Sequence, residues 1–284
     1  VEEQMGCATS KASAGIDEST MAVATAPRRR GVEEQMGCAT SKASAGIDES
    51  TMADVTKCPD EPAAKPVKTQ NTQMSARVHT PGLAGCDVDA KKTAVVFIEY
   101  QNEFTTEGGK LHEAVKGTMG GMIGTSVGVA EAARAAGATV MHAPISFKED
   151  ASDNPNQGVG ILAGCAGDRL FTEGTWNAEF CKDMTPKDGD VVVKGKKGLD
   201  AFPGTTLEEE LKARGIETVA LAGFLTNCCV ESTMRTAYEK GFNVITLTDC
   251  VATTSEEGQK AATTGTYGMF SSPMTSGEFK EKLA

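Results

Sequence analysis

From residue 89 onward the sequence predicts a three-layer α/β/α domain on a mainly parallel, Rossmann-like sheet of about six strands. Two observations carry this. Short apolar runs alternate with stretches of helical periodicity up to the C-terminus. The runs are also apolar at consecutive positions, as strands buried on both faces require, and not at every second one.

The first run, TAVVFIEY (93–100), is bounded by polar residues and reads as a buried strand. A long Ala/Gly/Val segment from His112 to Ala136 reads as one helix that stops at Gly137. ATVMHAP (138–144) is the second strand, ended by Pro144. Residues 148–188 are rich in Gly, Asn, Asp and Pro and read as an irregular excursion with a short helix. GDVVVKGK (189–196) is the third strand. TTLEEELKARG (205–215) opens on Thr and closes on Gly, both helix-end signals. ETVALAGF (217–224) is the fourth strand, NCCVESTMRTAYEKG (227–241) a helix, and FNVITLTD (242–249) the fifth strand. SEEGQKAAT (255–263) begins another helix, YGMFSS reads as a short sixth strand, and SGEFKEKL closes the chain as a helix.

Residues 1–88 are of another kind. Residues 1–22 and 32–53 are the same string, VEEQMGCATSKASAGIDESTMA, with VATAPRRRG between them. Such identity suits a recent duplication better than a structural repeat, whose units resemble rather than copy one another. The composition holds too little apolar surface to offset ordering, so the segment reads as a tail or linker. Each copy contains MGCATSK. Were either Met5 or Met36 the true start, Gly6 or Gly37 would meet the myristoylation pattern, with Cys7 or Cys38 beside it for a second chain. The tail is then the expected contact with a membrane or a larger assembly. With Val1 first, neither glycine is terminal.

The net charge of −11 and pI near 4.9 argue against nucleic acid as a partner, because such faces are basic. No apolar stretch nears the roughly 18 residues of a membrane span, and the N-terminus has no signal-peptide core. The nine cysteines form no C-x-x-C pair and read as reduced thiols of a cytoplasmic protein. Histidines 79, 112 and 142 have no zinc-like spacing, so neither metal nor cofactor is expected.

In parallel sheets ligands bind beyond the carboxyl ends of the strands. Glu99 ends the first strand, Lys194 and Lys196 the third, and Cys228–Cys229 follow the fourth. A carboxylate, an ammonium and a thiol therefore meet at one edge. Three segments then resemble, in order, the motifs of the isochorismatase-like cysteine hydrolases: FIEYQNEF (97–104), VVVKGKKGLDAFPGTTLEEEL (191–211) and AGFLTNCCVESTMRTAYEKGFNVITLTDCVAT (222–253).

The resemblance implies a Cys229–Lys196–Glu99 triad that hydrolyses a C–N bond of a small amide or ureide through a thioester. Cys229, the residue before Val, holds the nucleophile position, and Cys228 is a packed neighbour. Lys196 stands six residues before Phe202, as the lysine motif asks. Lys194 lies one pleat away, and Lys197 points elsewhere. The resemblance also implies a cis peptide at Phe224–Leu225, an oxyanion hole from the N–H groups of Leu225 and Cys229, substrate contacts at Asn102 and Phe104, and a homo-oligomer. A thiol in a first helical turn is expected to have a lowered pKa. Glu99 stands where the family usually has Asp, which leaves a second reading open: an inactive binding or scaffold protein of the same fold. The metal motif of the nicotinamidases, Asp-x-His-x-x-His, is missing after the first strand.

Overall fold

The computed structural model describes residues 88–284. The tail, its duplication and both MGCATSK segments lie outside them. After a short turn at Ala90–Lys92 come β1 (Thr93–Ile98), α1 (Asn102–Thr105), α2 (His112–Met119), α3 (Met122–Ala136) and β2 (Thr139–Ala143). Next are α4 (Gly160–Gly167), β3 (Val191–Val192), α5 (Leu207–Ala213) and β4 (Thr218–Phe224). The chain ends with α6 (Glu231–Glu239), β5 (Asn243–Ala252), α7 (Glu256–Ala261), α8 (Tyr267–Phe270), β6 (Ser272–Met274) and α9 (Ser276–Leu283).

All strand pairs are parallel, in the order β3-β2-β1-β4-β5-β6. In register, Val96 lies between Met141 of β2 and Leu221 of β4. Every residue of β1 and β4 is buried. Alternate residues of β1 serve opposite layers, as the pleat dictates. Val95 and Phe97 pack in a core with Val129, Ala133 and Phe279 of α3 and α9, whereas Ala94, Val96 and Ile98 pack with Leu207, Leu211, Met234 and Ala237 of α5 and α6. The chain winds outward from β1 to β3, then returns to β1's other side with β4. This reversal opens a crevice at the carboxyl ends of β1 and β4.

Three elements differ from the sequence reading. The helix read as continuous over 112–136 is broken at Gly120, whose φ of 45° no helix continues through. The third strand spans only Val191–Val192; Val193 N–H still donates to His142 O at 2.8 Å, and from Lys194 the chain turns away to bond with Thr206. Tyr267–Phe270 is helical and the sixth strand starts at Ser272. The Tyr267 hydroxyl donates to the Thr226 carbonyl at 2.8 Å, which holds that turn inward.

Candidate active site

Beyond β1 the chain turns sharply. Glu99 has a φ of 59°, its N–H donates to Ala143 O at 3.2 Å, and its carbonyl accepts from the Gln101 N–H at 2.7 Å. The side chain is thereby directed into the crevice, where it is only 2% exposed. The lysine comes from the turn after β3. Lys196 is equally buried, and its ammonium donates to Glu99 Oε1 and, at 2.7 Å, to Gly198 O. A charge so buried is sustained only by a partner of opposite sign and further hydrogen bonds. The two neighbouring lysines behave differently. Lys194 is exposed, and Lys197 pairs with Asp153 at 2.8 Å and Glu173 at 2.7 Å.

The thiols follow β4. Phe224–Leu225 is a cis peptide. Immediately before it, Gly223 has a φ of 128°, and a Cβ there would stand 2.0 Å from Ile98 O. Only glycine lets β4 end so close against β1. Thr226–Val230 then form a wide π turn, closed by the N–H groups of Cys228 and Val230, which both donate to Leu225 O at 3.1 Å. Cys229 is 3% exposed, while Cys228 is half-buried. Thr233, one helical turn on, donates to Cys229 O at 2.8 Å and accepts from the Ala201 N–H at 3.0 Å.

Electrostatics differ from the sequence reading. The Cys229 thiol is held well above its ordinary pKa, first by its hydrogen bond with Cys228, then by burial and the Glu99 charge, with Lys196 pulling the other way. The helix-terminus effect expected from sequence is outweighed, because the thiol is inside the protein beside a carboxylate. The same hydrogen bond lowers the pKa of Cys228 against its burial. Burial depresses Lys196, but Glu99 and the thiols more than offset it, so its pKa is raised and the ammonium persists. A third thiol, Cys165 of α4, feels Glu99, Cys228 and Lys196, and burial pushes it up to about 11.

The remaining expected residues form a wall beside this group. Asn102 donates to Trp176 O at 2.9 Å and accepts from Thr106 Oγ1 at 2.7 Å. Phe104 stacks on Phe224 with centroids 5.1 Å apart. Gln101 and Glu103 went unread in the sequence. Gln101 bonds Ile145 N, Ile145 O and Ala178 O, and buried Glu103 accepts from Lys110 N at 2.6 Å, Phe171 N at 3.3 Å and Asn177 Nδ2 at 3.0 Å. These bonds fix the 145–180 segment over the crevice. Gln101 also borders a cleft of about 480 Å³ with Pro144, Ser146, Glu173 and Phe180. Among the described residues, no group of three His, Cys, Asp or Glu side chains is placed to hold a metal ion, and no helix is long and apolar enough to cross a membrane.

A family model described as the isochorismatase domain matches residues 93–278, which takes in β1, β4 and all three candidate catalytic positions. The chain belongs to the isochorismatase family. Among its curated relatives, the ureidoacrylate amidohydrolase RutB of Methylorubrum extorquens AM1 is 33% identical over 175 residues, 57% of this chain and 70% of that one. Solved isochorismatase-type structures share the fold. A cysteine hydrolase from Pseudomonas syringae pv. phaseolicola superposes with a TM-score of 0.63 at 24% identity, covering 71% of this chain and 96% of the other. The N-carbamoylsarcosine amidase of Thermoplasma acidophilum gives 0.54 at 27% identity, covering 65% and 96%.

Proposed function

We propose that this isochorismatase-family member hydrolyses a C–N bond of a small amide or ureide, with Cys229 as nucleophile, Glu99 as proton acceptor and Lys196 as the cation that holds both. One observation carries the reading: the Lys196–Glu99 ion pair is buried at the crevice, and its charges act on the Cys229 thiol. The names of the similar amidohydrolase and amidase supply the substrate class.

In the resting site Cys229 carries its proton. With a substrate carbonyl in place, Glu99 takes that proton as Sγ bonds to the carbonyl carbon. The N–H groups of Leu225 and Cys229 receive the oxyanion. The tetrahedral intermediate collapses, the C–N bond breaks, and Glu99 returns the proton to the leaving nitrogen. Water, deprotonated by Glu99, then cleaves the thioester and restores the thiol. Lys196, paired with Glu99, holds the carboxylate in place between these transfers. Asn102 and Phe104 shape the wall the substrate meets, by positioning the Trp176 segment and Phe224. The homo-oligomer and the cytoplasmic setting belong to the same proposal.

Ammonia release from a panel of small amides and ureides tests it. Cys229→Ala abolishes turnover, Glu99→Gln reduces it at least about a hundredfold, and Cys228→Ala retains most of it. A folded protein inert on the whole panel favours the binding-protein reading, whereas turnover that survives Cys229→Ala overturns Cys229 as the nucleophile.

A further inference from the structure

We infer that Thr233 is a positioning residue that fixes the spacing between the candidate nucleophile and the candidate catalytic lysine; this rests on the cysteine-hydrolase reading of the site. Lys196 and Cys229 come from separate turns, after β3 and after β4. Backbone bonds tie the lysine segment to β2 and the turn after it, Val193 N–H to His142 O at 2.8 Å and Ser146 N–H to Lys196 O at 3.4 Å, but its strand neighbour is β2, not β4. Lys196 is also anchored by its ion pair with Glu99; a direct tie between the lysine turn and the cysteine helix is a further contact that sets their spacing.

The Thr233 hydroxyl makes that contact. It donates to Cys229 O and accepts from the Ala201 N–H, five residues past Lys196. A threonine bonding the carbonyl four residues back is ordinary in helices. Here the same oxygen also receives a backbone donor from the lysine segment, in a fully buried place. A hydroxyl can do both at once, since it has one donor and two acceptor sites. A second bond runs parallel to it: Thr236 Oγ1 donates to Asp200 Oδ2 at 2.6 Å, and Asp200 accepts from the Phe202 N–H at 2.9 Å. Residues 200–202 are thus tied to one face of α6 at two successive positions. Within the segment, the Lys196 ammonium donates forward to Gly198 O. The path from nucleophile to lysine is therefore continuous: Cys229, Thr233, Ala201, then the turn to Lys196.

The test reads the thiol and not turnover, so that a wrong substrate class leaves it interpretable. In a Cys228→Ala background, the alkylation rate of Cys229 by iodoacetamide is followed against pH by peptide mass spectrometry. The groups acting on Cys229 in that background are Glu99 from the turn after β1 and Lys196 from the lysine turn, the same charges that act on Cys165 of α4. Thr233→Val removes the hydroxyl at nearly constant shape, and Lys196 then drifts from the thiol. The alkylation midpoint moves up and the rate at pH 8 falls about tenfold, the equivalent of one pKa unit. Thr233→Ser restores the parent profile. Thr236→Val, at a half-buried position, shifts the midpoint the same way by about two- to threefold in rate and keeps the test open if Thr233→Val does not fold. Thermal melts recorded alongside separate general loosening from displacement. A Thr233→Val profile that overlays the parent's, a Ser variant as impaired as the Val variant, or a Thr236→Val profile unshifted when Thr233→Val cannot fold, would overturn the inference.

Discussion

Replacing Lys196 by methionine tests how the crevice tolerates its charges. In the parent, both side chains of the pair are almost fully inaccessible, and the ammonium also serves Gly198 O. Methionine fills similar volume, so packing changes little. What remains is a buried carboxylate without its cation and a carbonyl without its donor. Removing one partner of such a pair destabilises by about 3–5 kcal/mol. For a domain of this size each kcal/mol lowers the melting temperature by about 2–4 °C, so the loss is roughly 6–20 °C. The double variant Lys196→Met/Glu99→Gln has no stranded charge and recovers most of that loss, with a coupling of about 2 kcal/mol or more. Circular-dichroism melts and urea unfolding of the four proteins close the cycle. A single variant melting within about 2 °C of the parent, or strictly additive losses, would refute the idea that Glu99 depends on Lys196.

Other expectations follow from the same geometry. The Lys196 pKa is raised above its ordinary 10.5 in the folded protein, so the stability it contributes is complete below pH 10.5 and lost as pH climbs through the folded value. Alkaline melts of the parent should show this loss, and those of Lys196→Met should lack it. In the resting protein iodoacetamide labels Cys228 before Cys229, because Cys228 is half-buried with a lowered pKa; labelling of Cys229 first contradicts that order. Gly223→Ala sets a methyl 2.0 Å from Ile98 O and costs about 3 kcal/mol or more, seen as lost soluble yield or a collapsed melting temperature; an unchanged melt shows that β4 can move aside.

The sequence made the sheet legible where burial is continuous. TAVVFIEY and TVALAGF are short apolar runs of the kind that fills strands covered on both faces, and the structure places them within one or two residues of the expected limits. The third strand reads longer than it is because the apolar run Val191–Val193 leads straight into Lys194–Lys196; Val193 N–H still donates to His142 O, but from Lys194 the chain bonds to Thr206 and not to a strand. Gly120 sits in a helical pattern whose apolar spacing carries through it, so periodicity gave no sign of the break. At the site, the residue types and their order along the sheet edge were readable, whereas the acidity of Cys229 was not. That acidity depends first on the hydrogen bond with neighbouring Cys228, then on burial and on the charges of Glu99 and Lys196, distant in the chain, whose combined effect no local motif encodes. Thr233 did carry a local signal, four residues beyond Cys229 and on its face of the helix. Its partner Ala201 N lies in a loop, where spacing says nothing.

The bonds made by Gln101, Asn102 and Glu103 have a consequence for how such a protein can change. Their partners across the crevice are Ile145 N and O, Ala178 O, Trp176 O and Phe171 N, with Asn177 Nδ2 the one side chain among them. Main-chain groups are common to nearly every residue type. The anchor next to Glu99 therefore grips the path of the covering chain and is indifferent to most of its side chains. Mutations in 145–180 can redraw the surface offered to a small molecule while the segment stays docked in the same place. The candidate catalytic floor and its roof are thus free to evolve at different speeds.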